Sequence, residues 1–140
     1  MPRFVLLYHE CPPGYERASH WDFMLEEGEQ LRTWALPRLP RGWQAAQART
    51  ATFYPACPAI ADENSVEAEQ LPDHRLGYLH EEGPLSGNRG KISRIDSGTY
   101  VSNVELPECW ELALAGKLLC GRIALRGPSE RWTLSYAPAD

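Results

Sequence analysis

Apolar residues recur at alternate positions in short runs along most of this chain, the two-residue period of half-buried β-strands. The runs 4–8, 21–25, 31–36, 90–95, 99–104, 110–115, 118–125 and 132–136 each predict a strand. Glu27-Gly28-Glu29 and Ala115-Gly116-Lys117 suit tight hairpin turns, and Pro37, Pro40 and Gly42 end the third strand. One Ala/Gln-rich stretch, 43–49, predicts a short helix that Pro55 and Pro58 close soon afterwards. Short, regularly spaced strands with little helix favour a mainly β fold, an antiparallel β-barrel of about eight strands, over a sandwich. No coiled-coil heptad, internal repeat or low-complexity tract interrupts the pattern.

The same alternation sorts the chemistry of the second strand. In His20-Trp21-Asp22-Phe23-Met24-Leu25-Glu26, Trp21, Phe23 and Leu25 share a core face. His20, Asp22 and Met24 share the other face. An imidazole and a carboxylate two residues apart can grip one divalent cation, and His9, at the end of the first run, could add a third ligand from the neighbouring strand. A pair of exposed polar residues on a half-buried strand is the other reading. His74 and Tyr78 would face one side of an extended segment, or else be a loop histidine and a half-buried core phenol. His80 falls on the same face if the strand continues, or simply faces solvent. The loop Gly87-Asn88-Arg89-Gly90 is too generic to be a phosphate loop by pattern, although Arg89 could reach a phosphate.

With 140 residues the chain fits a single domain, 1–140, with a real core. No run approaches the length of a membrane span, and the first apolar run is too short for a signal peptide. Cys11, Cys57, Cys109 and Cys120 follow neither metal-type nor disulfide-framework spacing, which favours free thiols in a reducing cytoplasm. The net charge of −5 argues against broad coating of nucleic acid. It does not exclude an enzyme that grips one strand end with a small basic patch, and basic residues do gather at Arg32, Arg38, Arg41 and Arg49 and at Arg89, Lys91 and Arg94.

Several of these blocks, in order, resemble the 3′-phosphoesterase domain of bacterial multifunctional DNA ligase D. His9, then His20-Trp21-Asp22-Phe23-Met24-Leu25-Glu26, then Leu31-Arg32-Thr33-Trp34-Ala35-Leu36-Pro37 are similar to its histidine, its His-Tyr-Asp-Phe-Arg-Leu-Glu strand and its Leu-Lys-Ser-Trp-Ala-Val-Pro strand. Asp73-His74-Arg75-Leu76-Gly77-Tyr78 with Glu82-Gly83, the 87–90 loop, 96–100 and the hairpin 114–125 follow collinearly. The resemblance implies the same barrel with a few short helices. It implies a cation, manganese (Mn²⁺) or else Zn²⁺ or Co²⁺, held by His9, His20 and Asp22. His74 would contact the scissile phosphate with Tyr78 beside it. The implied activity is removal of 3′-terminal ribonucleotides and 3′-phosphates from DNA or RNA 3′ ends, in repair by non-homologous end joining. Ligase or polymerase partners would act in trans, and the protein would be a cytoplasmic monomer.

Two departures matter. His9 and His20 are eleven apart where the family has six, so the connection carries an insertion. Met24 replaces an arginine that holds the phosphate, a bidentate contact worth about 2.7–4 kcal/mol in the transition state by analogy with lost oxyanion donors. Arg17, Arg75 and Arg89 are the candidates to replace it. Otherwise the barrel is a weak or non-catalytic binder of nucleic-acid ends or of another partner, or a phosphoesterase on a small nucleotide.

Overall fold

The computed structural model describes residues 1–128 and 131–138. Its strands are β1 (Arg3–Glu10), β2 (His20–Glu27), β3 (Gln30–Leu36), β4 (Ser65–Arg75), β5 (Gly83–Pro84), β6 (Lys91–Leu106), β7 (Cys109–Gly116), β8 (Cys120–Arg126) and β9 (Trp132–Ala137). One helix, α1 (Gln44–Phe53), and a 3₁₀ turn (Leu76–Leu79) complete the regular structure. The strands run in the order β1-β2-β3-β4-β9-β8-β7-β6, and β6 pairs back with β1 to close an eight-stranded antiparallel barrel. The two-residue β5 pairs with the start of β6. Among the described residues no helix is long and apolar enough to cross a membrane.

The expected barrel forms, but two differences cancel in its strand count. The runs 90–95 and 99–104 are one long strand, β6, which bends at a register shift against Leu6 and Leu7 so that its first half pairs with β1 and its second with β7. A one-residue bulge permits that bend. In exchange β4, absent from the predicted strands, closes the gap between β3 and β9. Its alternation is faint because small Val66 and Ala68 face inward while Glu67 and Glu69 face out. The helix begins one residue later than expected and runs on to Phe53.

Gly28 takes a φ of 63° in the two-residue β2–β3 turn, a conformation a side chain would resist. The β7–β8 turn is held by buried Asp96, whose carboxylate accepts the backbone N–H groups of Lys117, Leu118 and Leu119 at 3.2, 3.0 and 2.8 Å. Inside the barrel, Phe4, Leu6 and Tyr8 of β1 and Trp21, Phe23 and Leu25 of β2 join the aromatic cluster of Trp34, Trp110 and Trp132. The α1 region adds Trp43, Ala46 and Tyr54, and Trp21 Nε1–H donates to Thr50 Oγ1 at 3.0 Å.

A second, smaller cluster lies on the other face of the same strands. It contains Val5, Leu7, Met24, Leu31, Leu79 and Ile92, with Leu76, Tyr78 and Leu85 packed against it. It is covered by the 3₁₀ turn and the 85–90 loop, and its open end continues into a cleft.

Candidate metal centre

That cleft encloses about 480 Å³ and gathers residues from distant parts of the chain: His9, Arg17, His20, Asp22, Met24, His74, Tyr78 and Arg89 all line it. Register explains the first group. His9 pairs with His20 across β1 and β2, so both rings stand on the outer face, and Asp22 follows His20 by two residues. The longer 11–19 connection leaves this pairing intact.

His74 reaches the cleft through a bulge. Leu31 pairs with His74 but Thr33 pairs with Leu71, which leaves Pro72 and Asp73 opposite the single residue Arg32. Pro72 has no N–H to give the ladder, and the extra residue reverses the side-chain alternation beyond it. Without the bulge, His74 would share the inward parity of Val66 and Ala68.

The donor atoms of His9, His20 and Asp22 lie close together. His9 Nε2 lies 2.6 Å from the Arg89 carbonyl and His20 Nδ1 lies 2.8 Å from the Ala18 carbonyl. A carbonyl only accepts, so both nitrogens carry the proton and His9 Nδ1 and His20 Nε2 are left with lone pairs. Both lone-pair nitrogens lie near Asp22: Nδ1 of His9 is 3.9 Å from Oδ2, and Nε2 of His20 is 3.0 Å from Oδ1. Despite that proximity Oδ1 is buried without a well-directed hydrogen bond. Acceptors face acceptors, an arrangement that needs either a proton or a cation between them. Burial works against charge on His20, but the Asp22 hydrogen bond, the Asp22 charge and the Ala18 carbonyl outweigh it and raise its pKa. His9, His20 and Asp22 thus have donor chemistry and unmet hydrogen-bonding capacity that suit a divalent ion, although their three donor atoms do not all lie within 4.8 Å of one another.

The loop positions are built to hold this geometry. Gly87, Asn88 and Gly90 all have positive φ, and a Cβ on Gly90 would collide with the Glu10 carbonyl, so the loop lies directly against the end of β1. This brings the Arg89 carbonyl, and not its guanidinium, to His9. The guanidinium is engaged instead by Ser86, donating to its carbonyl at 2.7 Å and its Oγ at 3.1 Å. Arg17 donates to Glu69 at 2.6 Å. Arg75 pairs with Glu81 at 2.5 Å and stacks over Tyr78 at 5.1 Å. All three candidate cations thus already have partners.

Met24, at the position of the family's arginine, is 1% exposed and packed within the outer apolar cluster. Tyr78 sits in the 3₁₀ turn and not in an extended segment, yet the turn still delivers it edge-on to His74, with ring centroids 5.2 Å apart. His74 Nδ1–H donates to the Pro72 carbonyl at 2.9 Å, which leaves Nε2 as its free ring nitrogen. His80 is exposed and does not line the cleft. Glu82 accepts the Arg94 backbone N–H at 3.1 Å.

The sequence reading missed Cys11. All four cysteines are free thiols, as expected, but Cys11 is not remote from ligand chemistry. Among the described residues, His9, Cys11 and His20 form the one group whose donor atoms all lie within 4.8 Å of one another. The His9-Glu10-Cys11 alternation carried the signal, since it sets the thiol on the histidine's face. Its remaining neighbour, His20, comes from the next strand and leaves no sequential spacing to read. Tyr15, from the same connection, stands edge-on to His9 at 5.8 Å. No family model matches the chain, and no curated protein matches it.

Proposed function

We propose that the protein is a metal-dependent phosphoesterase acting on nucleic-acid 3′ ends, of the kind the ligase D 3′-phosphoesterase resemblance implies. The observation that carries the reading is the meeting in one cleft of His9, His20 and Asp22 with His74 and Tyr78, from segments that are far apart in sequence but collinear with that family's motifs. Four carboxylates and two guanidiniums line the cleft, Glu16, Asp22, Glu69 and Asp73 against Arg17 and Arg89, so a phosphate is repelled until a cation is present. His9 Nδ1, His20 Nε2 and Asp22 would hold a divalent ion, which would supply positive charge and Lewis acidity for activating water.

The chain's own groups do the rest. The Ala18 and Arg89 carbonyls fix the ligand tautomers. Pro72 fixes the His74 tautomer, so Nε2 can donate, once protonated, to a phosphoryl oxygen or to the leaving oxygen. Tyr78 braces that imidazole from its edge. Mn²⁺ is the ion implied by the resemblance, with Zn²⁺ or Co²⁺ as alternatives.

A second reading, a barrel that binds ends without cleaving them, draws on Met24. Its packing in an apolar cluster leaves the phosphate without the family's guanidinium, and Arg17, Arg75 and Arg89 are held elsewhere. The deciding experiment is phosphate release from a 3′-phosphate primer–template with added Mn²⁺, compared with His20→Ala and His74→Ala. We expect slow release that both substitutions abolish. Wild type no faster than His20→Ala, on 3′-phosphate and 3′-ribonucleotide ends alike, would leave the binding reading in its place.

A further inference from the structure

We propose that Cys11 gives this centre a second coordination mode, a thiolate set of His9, Cys11 and His20 that takes Zn²⁺ in preference to Mn²⁺ and competes with the His9–His20–Asp22 mode. The inference rests on the metal centre of the preceding section and adds its regulation by ion identity.

The two modes use opposite edges of one imidazole. Asp22 Oδ1 approaches His20 from Nε2 at 3.0 Å, and Cys11 Sγ approaches it from Nδ1 at 3.9 Å. Donors of Zn²⁺ bonded at about 2.0–2.3 Å in a tetrahedron stand roughly 3.5 Å apart, so a group already within 4.8 Å closes by side-chain adjustments of about an ångström. Cys11 is held for this role. Its backbone N–H donates to Ser19 Oγ at 2.9 Å, tying the two ends of the 11–19 connection together, and its sulfur rests 3.8 Å from the His9 carbonyl.

If His20 binds through Nδ1, its proton moves to Nε2 and is donated to Asp22 Oδ1, the buried oxygen that otherwise lacks a directed partner. The carboxylate then serves as an outer orienting group and not as a ligand. His20 must give up the Ala18 carbonyl, which belongs to an exposed residue and can turn to water. On binding, the thiol loses its proton to solvent and the sulfur becomes a ligand, with no change of oxidation state. Thiolate and imidazole suit Zn²⁺ and Co²⁺, whereas a carboxylate-containing set suits Mn²⁺, so the ion chooses the edge.

Reduced, full-length protein titrated with Co²⁺ provides the test, with folding of each variant checked by near-ultraviolet circular dichroism. We expect one equivalent of Co²⁺ to produce a near-ultraviolet sulfur-to-cobalt charge-transfer band. That band should vanish in Cys11→Ser and Cys11→Ala, persist in Asp22→Asn, and be unchanged in Cys120→Ser, whose thiol is remote. Zn²⁺ should displace Mn²⁺ from wild type at least about tenfold more effectively than from Cys11→Ser, since even outer-group losses cost ten- to a hundredfold in affinity. Stoichiometric Co²⁺ binding that needs His20 but shows no such band, with the Zn²⁺/Mn²⁺ preference equal in wild type and Cys11→Ser, would overturn the thiolate mode and leave the His–Asp centre standing. Binding of neither ion, with His20→Ala indistinguishable from wild type, would overturn both.

Discussion

The inner and outer faces of β1 and β2 are interleaved residue by residue, yet they are held together in different ways. Inward, Phe4, Leu6, Tyr8, Trp21, Phe23 and Leu25 join one continuous aromatic core shared with six other barrel strands and α1. Outward, Val5, Leu7 and Met24 form a patch that gives way, within one or two residues along the strands, to His9, His20 and Asp22. The inner face is covered by the barrel itself; the outer one only by a 3₁₀ turn and two connections. Rigid strands thus fix the positions of His9, His20 and Asp22, while irregular segments, which can vary without unfolding the barrel, decide what else reaches the cleft. The comparison predicts that inner substitutions act on stability and outer ones on ligand binding.

The largest effect is expected from the inner face. Trp21→Ala removes a fully buried indole and its hydrogen bond to Thr50 and should cost about 3–5 kcal/mol in urea unfolding. The folded fraction should still bind metal with wild-type affinity, because no ligand is touched. Metal affinity that falls in step with stability would show that the faces are not separable.

Met24→Arg is the sharpest probe of the boundary between them. Placed in the apolar cluster, a guanidinium should destabilise by about 2–4 kcal/mol, unless its stem can carry the charge out to the cleft. Faster phosphate release with little loss of stability would instead mean that Met24 sits where a phosphate clamp is accommodated.

Purely outer substitutions should reverse the pattern. His20→Ala and Asp22→Asn should each weaken divalent-ion binding by at least about tenfold, roughly 1.4 kcal/mol, while unfolding midpoints in chelator stay near wild type. Affinity should also fall with acid. The raised pKa of His20 means that a proton increasingly occupies its ring as pH drops through that value, and the ion must displace it. Binding that is level across this window would argue against His20 as a ligand.

The same contrast explains what could be read from the chain. Alternation in 20–26 exposed both the core face and the His20–Asp22 pair, because a strand's period is fixed by backbone geometry. The turn at Gly28 was legible because its left-handed φ favours glycine. By contrast β4 was hidden, since its inward positions carry only Val66 and Ala68 and its outward ones a run of acids. The bulge that aims His74 depends on how Pro72 and Asp73 pair with β3, a long-range property. Cys11 meets His20 across a connection whose shape comes from Ser19 and local turns. Strong alternation and glycine turns were visible; weakly alternating strands, bulges and contacts across connections were not.

The smallest expected effect lies where the two faces end, at the rim of β1 and β2. Arg3 donates to Glu26 through its backbone N–H, Nε and Nη2 at 2.8–2.9 Å, but the pair is partly exposed. Glu26→Gln should therefore cost only about 0.2–1 kcal/mol at neutral pH, less in high salt. The Arg3 hydrogen bond is the main cause of a lowered Glu26 pKa, with burial opposing it. A lowered folded-state pKa stabilises above the ordinary glutamate value of about 4.3 and is lost as pH falls through the folded-state value. Wild type and Glu26→Gln should accordingly converge in stability only at acid pH. A gap that persists there would mean that Glu26 contributes through packing at the rim rather than through its charge.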